Sequence, residues 1–183
     1  LWMDDAKKSE PNDPNAVSLA TSNNNFPSVR MVLLKDFSQN GFIFYTNLNS
    51  QKGNELKENP KAAMCFHWKS LLRQIRINGV VTQVADDVAD KYYNSRSYES
   101  RIGAWASKQS KELTSRDQLI DSIKEYKDKY NDENNVPRPS HWSGWTLSPQ
   151  SIEFWLDGDG RIHERLKYVK DKNSQWIKSL LSP

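Results

Sequence analysis

A chain of 183 residues with a net charge of +3 and one cysteine is comfortable for a single domain and excludes several classes of protein. At this length folding buries roughly 70% of the unfolded surface, so neither a metal nor a disulfide framework is required; no run approaches the roughly 20 apolar residues of a membrane span, and no signal-peptide pattern opens the chain. Lysines and arginines are interspersed with aspartates and glutamates, which argues against nucleic acid and suits small anionic ligands.

The opening stretch, Leu1 to Ala6, reads as the middle of a helix, so the native protein is expected to extend upstream. Residues 16–21, 29–34, 42–46 and 61–68 are short runs of β-branched, aliphatic or aromatic residues. Turn formers bound them: Asn23 to Asn25, Asn40-Gly41, Asn47 and Pro60. Residues 72–84 alternate, with Ile75, Ile77 and Val81 on one parity and Gln74, Arg76 and Asn78 on the other, and Gly79 marks a bulge or bend. Cys65 sits in the apolar run from Ala62 to Phe66, which reads as a buried structural thiol and fits a reducing, cytoplasmic compartment.

Helical signals are fewer. Ser50 as N-cap and Pro60 as stop predict a helix over 50–59. Residues 86–95 carry Val88, Ala89, Tyr92 and Tyr93 at helical spacing. Ser115 and Gln118 have the form of a capping box, followed by the stripe Leu119, Ile123, Tyr126 and Tyr130. Residues 131–139 read as a loop, and 142–147, 151–155, 161–168 and 175–181 return to a strand pattern. Many short strands at regular spacing predict an α+β fold over residues 1–183, an antiparallel Greek-key-like β-barrel with flanking helices.

Four constellations could carry chemistry. If Arg161 to Arg165 is a strand, Arg161, His163 and Arg165 share a face, suited to an anion or a π-system; a solvated face is the alternative. Arg30 and Lys35 close the two ends of an apolar strand and, in regular geometry, fall on opposite faces, as ordinary gatekeepers would. Ser50, Gln51 and Lys52 open a helix and offer a phosphate cradle, although capping alone explains Ser50. Tyr92, Arg96 and Ser100 recur every four residues; on one helix they would offer a phenol, a guanidinium and a hydroxyl to one anion, and Gln109-Ser110 could hydrogen-bond a ligand beyond them. His67, His141 and His163 lack ligand spacing, so no metal site is expected.

Together these pieces resemble the pyridoxine/pyridoxamine 5'-phosphate oxidase family. The anchors span the chain: Arg30 to Lys35, Phe44 to Asn47, Arg73-Gln74, Tyr92 through Ser110, Val136 to Pro139, Ile152 to Trp155, Arg161 to Arg165, and Leu181 to Pro183. The resemblance implies a homodimeric split β-barrel holding FMN in clefts between its subunits. It assigns Arg30, Lys52, Gln109 and Ser110 to the FMN phosphate, with Gln51 standing where the family usually has Arg. It assigns Met31, Val32, Leu33, Leu34, Lys35, Tyr45, Thr46, Gln74, Trp155 and Arg165 to the rest of the flavin. Lys35, Tyr92, Arg96 and Ser100 would take the substrate phosphate, and Arg161 and His163 would act catalytically by covering the pyridine ring.

The implied reaction oxidises pyridoxine 5'-phosphate or pyridoxamine 5'-phosphate to pyridoxal 5'-phosphate, with O2 as acceptor and H2O2 as product. Glu164 replaces the family's usual Asp, and an upstream segment that helps close the site in relatives is absent from this chain. A flavin-dependent reductase of the same fold and a non-catalytic flavin or pyridoxal phosphate binder are the competing readings.

Overall fold

The computed structural model describes residues 1–183. After helix α1 (Trp2–Ser9), strands β1 (Ala16–Asn23) and β2 (Phe26–Leu33) form a hairpin. Asn24 and Asn25 turn it with φ of 47° and 63°, a left-handed pair that asparagine tolerates and whose twist matches the strands. Strands β3 (Asp36–Ser38) and β4 (Gly41–Asn47) form a second hairpin, and α2 (Gln51–Glu58) leads into β5 (Lys61–Trp68) and β6 (Arg73–Gln83). Helices α3 (Asp86–Asn94), α4 (Tyr98–Ala106) and α5 (Arg116–Lys129) follow, then β7 (Trp142–Leu156), β8 (Glu164–Lys170) and β9 (Trp176–Leu180). No helix is long and apolar enough to cross a membrane.

All strand pairs are antiparallel, in the order β2-β1-β5-β6-β7-β4-β3, with β8 and β9 added beside β7. Alternation explains what is inside: β1 buries Val17, Leu19 and Thr21, and β5 buries Ala62, Met64, Phe66 and Trp68. These side chains share one cluster with Phe44 of β4, Leu56 of α2, Ile77 and Val81 of β6, and Trp145 and Leu147 of β7. A sheet whose distant strands meet in one core must wrap around it, which is the expected barrel. Each large side chain buried this fully contributes about 1.5–3 kcal/mol.

The 15-residue β7 organises the split. One edge follows β6 from Trp145 to Leu156; the other pairs first with β4, over Trp142 to Leu147, and then with β8, over Ser151 to Leu156. Two separate strands were expected here; Pro149 lies where the second partner changes, but the β6 ladder carries the strand past it. The expected irregularity at Gly79 is present as a register shift opposite Pro149, and a Cβ there would meet the Ser148 carbonyl oxygen at 2.1 Å.

Three local expectations need correction. Residues 161–163 are not strand: Asp159–Arg161 form a short 3-10 turn, Arg161 has φ of 67°, and β8 begins at Glu164. Residues 92–100 are not one helix, because Ser97 caps a new one by accepting from the Ser100 N–H. The box at Ser115 is half formed: Ser115 accepts from the Gln118 N–H, while the Gln118 side chain turns back to Thr114.

Candidate active site

One cavity of about 1190 Å³ opens between the middle of β2, the end of β4, the first turn of α2, the α3–α4 junction and the start of β7. It is larger than the roughly 300–1,000 Å³ of a typical small-molecule pocket, so it has room for two ligands side by side. It gathers Arg30, Met31, Val32, Leu33, Lys35, Tyr45, Thr46, Gln51, Lys52, Tyr92, Arg96, Ser100, Gln109 and Ser110 of the expected site residues. Arg30 and Lys35 both reach it, because β2 ends at Leu33 and Leu34 turns into the core instead, 4% exposed. Leu34 is therefore a packing residue whose side chain does not line the site.

Two cationic regions face this space. In the first, the Lys52 ammonium lies 3.0 Å from Thr46 Oγ1 and 3.1 Å from Gln109 Oε1. Burial pulls its pKa below the ordinary lysine value, and the Arg30 charge adds to that. Arg30 reaches Thr21 and the Glu55 carboxylate, the latter at 3.0 Å. Ser50 is fully buried, accepts from the Gly53 N–H and donates to the Asn47 carbonyl, so it caps α2 and does not line the cavity.

In the second region, the Arg96 guanidinium lies 4.8 Å from the Trp142 ring centre. Its Nη1 is buried without a hydrogen-bond partner, and burial pulls its pKa below the arginine norm. A desolvated N–H left unmatched costs about 1–3 kcal/mol, so this group is built to receive an acceptor from outside the chain. Tyr45 and Tyr92 stack at 4.0 Å, and Tyr45 and Trp142 at 5.3 Å, giving a flat aromatic wall beside Arg96. The break at Ser97 does not scatter Tyr92, Arg96 and Ser100, which still converge on one cavity.

The remaining expected residues lie elsewhere. Gln74 pairs across the ladder with Trp155, and Trp155 with Arg165. His163 stacks 4.6 Å from Trp155 and places Nδ1 3.0 Å from Asp157 Oδ1. Arg165 gives Nε and Nη2 to Glu153 at 2.9 and 2.8 Å, and Arg161 is exposed on its turn. Trp155 stands thirteen residues along β7 from Trp142, roughly 40 Å of strand. One chain thus holds the expected residues in two separated groups. Cys65 is half-buried, not enclosed, with Sγ 3.2 Å from Gln74 Oε1, and burial pushes its thiol up.

Sequence reasoning missed Trp142, Ser28 and Glu55. Glu55 is 5% exposed and accepts from Thr21, Ser28 at 2.9 Å, Gln51 at 2.9 Å and Arg30. Burial alone would raise its pKa, but these donors outweigh it and hold the carboxyl at about 2. A carboxyl pulled below its ordinary 4.5 contributes stability above that pH, and the contribution is lost as pH falls toward 2. Acid unfolding followed by circular dichroism is expected to lose this component in Glu55→Gln; identical curves for both proteins would contradict it.

The fold and the cavity define a split-barrel protein with two cationic subsites beside an aromatic wall. The family's sequence model, "Pyridoxamine 5'-phosphate oxidase", matches residues 3–130, and the "Pyridoxine 5'-phosphate oxidase C-terminal dimerisation region" matches residues 142–183. The chain belongs to the pyridoxine/pyridoxamine 5'-phosphate oxidase family. It is 72% identical to the pyridoxine/pyridoxamine 5'-phosphate oxidase of Pelagibacter ubique, covering all of this chain and 88% of that protein. The enzyme of the same name from Allorhizobium ampelinum is 54% identical, with 89% of its length covered. Among solved structures, PhzG from Burkholderia lata, in complex with tetrahydrophenazine-1-carboxylic acid, superimposes with a TM-score of 0.92 at 31% identity, over all of this chain and 89% of that one. An FMN-binding protein from Nostoc punctiforme shares the fold, with a TM-score of 0.74 at 16% identity over 92% of this chain and 88% of that one.

Proposed function

We propose that this protein oxidises pyridoxine 5'-phosphate and pyridoxamine 5'-phosphate to pyridoxal 5'-phosphate, with FMN as cofactor and O2 as acceptor. Two cationic subsites on one cavity carry the reading, one for each phosphate the reaction needs to hold. The family membership and the 72% identical relative support it. The residues fit FMN: Lys52, Arg30, Gln109 and Ser110 offer cations and donors for a phosphate, and the cavity has the volume. FMN held there would supply the two-electron acceptor and be reoxidised by O2 to give H2O2, the amine substrate also taking up water and releasing ammonia.

The chain's own residues bind and orient. Arg96, with its unmatched Nη1, Lys35, Tyr92 and Ser100 hold the substrate phosphate and fix the ring's position by its far end. The same geometry leaves Gln74, Trp155, Arg161, His163 and Arg165 without access to that cavity, so a second copy of the chain is proposed to bring them across a two-fold interface. Exposed apolar residues on β2 and β9, among them Val29, Met31, Ile177 and Leu180, favour such a dimer. Arg161 and His163 then cover the ring and stabilise charge, with no covalent role. Residues 1–183 act as one cofactor-binding unit, and the single cysteine supports a cytoplasmic setting.

A carboxylate substrate, like the ligand in the PhzG structure, is the competing reading. Aerobic incubation of the FMN-loaded protein with pyridoxine 5'-phosphate, followed by absorbance of the aldehyde, separates them. Product from the phosphate ester but not from free pyridoxine is expected; no product from a flavin-loaded protein would overturn the proposal.

A further inference from the structure

Arg30 is, with Lys52, one of the two cations of the first subsite, but what holds it lies outside the cavity. Glu55 is buried on α2, behind the wall formed by Ser28, Arg30 and Gln51, and all three of those residues donate to its carboxylate. Its fourth donor, Thr21, pairs directly with Ser28 across the β1–β2 hairpin and also accepts from Arg30 Nη1. Two of the fork's nitrogens are therefore anchored to groups that do not line the cavity. The planar guanidinium cannot rotate without giving up both anchors.

We propose that Glu55 is a positioning residue for the FMN phosphate: it fixes Arg30 and Gln51 at the cavity wall and thereby sets how strongly the protein prefers FMN to riboflavin. The inference rests on the FMN reading of the cavity. Two opposed effects decide it. As a charge, the Glu55 carboxylate cancels Arg30 and leaves Lys52 as the uncompensated cation, so removing it would tighten anion binding. As an anchor, it spends that attraction to hold the donors in one orientation, so removing it would weaken phosphate binding. The four donors converging from three elements favour the anchor. Gln51 belongs to the same network, its Nε2 donating to both Glu55 and Ser28.

The test titrates apo-protein separately with FMN and riboflavin, following quenching of flavin fluorescence. Glu55→Gln is expected to raise the FMN Kd about tenfold, the loss of one charged hydrogen bond, while the riboflavin Kd stays within about twofold. In the Arg30→Ala background, Glu55→Gln should weaken FMN binding by clearly less than tenfold, because most of the effect runs through Arg30 and only the remainder through Gln51. Thr21→Val removes the other anchor and is expected to lower the FMN preference about threefold; it decides alone if Glu55→Gln does not fold. An unchanged or tighter FMN Kd, or equal weakening of both flavins, overturns the positioning role and leaves the oxidase reading intact. A wild-type protein that does not prefer FMN to riboflavin overturns both.

Discussion

Replacing Arg96 by alanine is expected to raise the KM for pyridoxine 5'-phosphate on the order of a hundredfold while FMN affinity stays within about twofold. The size follows from two charge-assisted hydrogen bonds at about 1.5–3 kcal/mol each, partly offset by relief of the burial that now disfavours the charged guanidinium. The selectivity follows from place: Arg96 stands against Trp142 at the α3–α4 junction, whereas Lys52 and Arg30 stand on α2 and β2. Arg96→Lys should recover little, since a point charge cannot reproduce the planar fork lying over the indole. Steady-state kinetics with a parallel FMN titration checks both halves. An unchanged KM would remove Arg96 from the substrate subsite.

The second large effect is restoration of activity by mixing two dead proteins. Assayed at substrate near the wild-type KM, Arg96→Ala and Arg161→Ala homodimers are each expected to be nearly inactive, but refolding them together should return about a quarter of wild-type activity. Random pairing makes half of the dimers mixed. In a mixed dimer one site inherits both substitutions and the other neither, provided that each site takes Arg96 from one subunit and Arg161 from the other. The separation of Trp142 from Trp155 along β7 is the observation that favours this arrangement. If both arginines served the same site from one chain, every site in a mixed dimer would carry one defect, and mixing would restore nothing.

Much of this was legible in local chemistry. Runs of β-branched, aliphatic and aromatic residues marked β1 and β5, and alternation marked β6, because a strand with one face in the core must bury every second residue. The asparagines at 23–25 marked a turn, which the structure makes the first hairpin, and Ser50 with Pro60 bounded α2 to within a residue or two. The four-residue recurrence of Tyr92, Arg96 and Ser100 picked out three residues that line one cavity, though not their conformation. The Ser97 cap that divides the helix was a local signal passed over, as was Gly158-Asp159-Gly160, which turns the chain just before Arg161.

What the residues determined alone was therefore most of the elements, the two faces of β6 and the types of side chain available to an anion. Those properties depend on neighbours within a turn or a strand repeat, where spacing in the chain is spacing in space. The tertiary structure decided the rest. The unbroken run of β7 past Pro149 depends on the β6 ladder beside it, and the convergence of Arg30 and Lys35 depends on Leu34 being drawn into the core. Glu55 behind Arg30, Trp142 beneath Arg96, and the distance between Trp142 and Trp155 are relations between residues far apart in the chain. No local pattern records them, because they arise only when separate elements close on a common core.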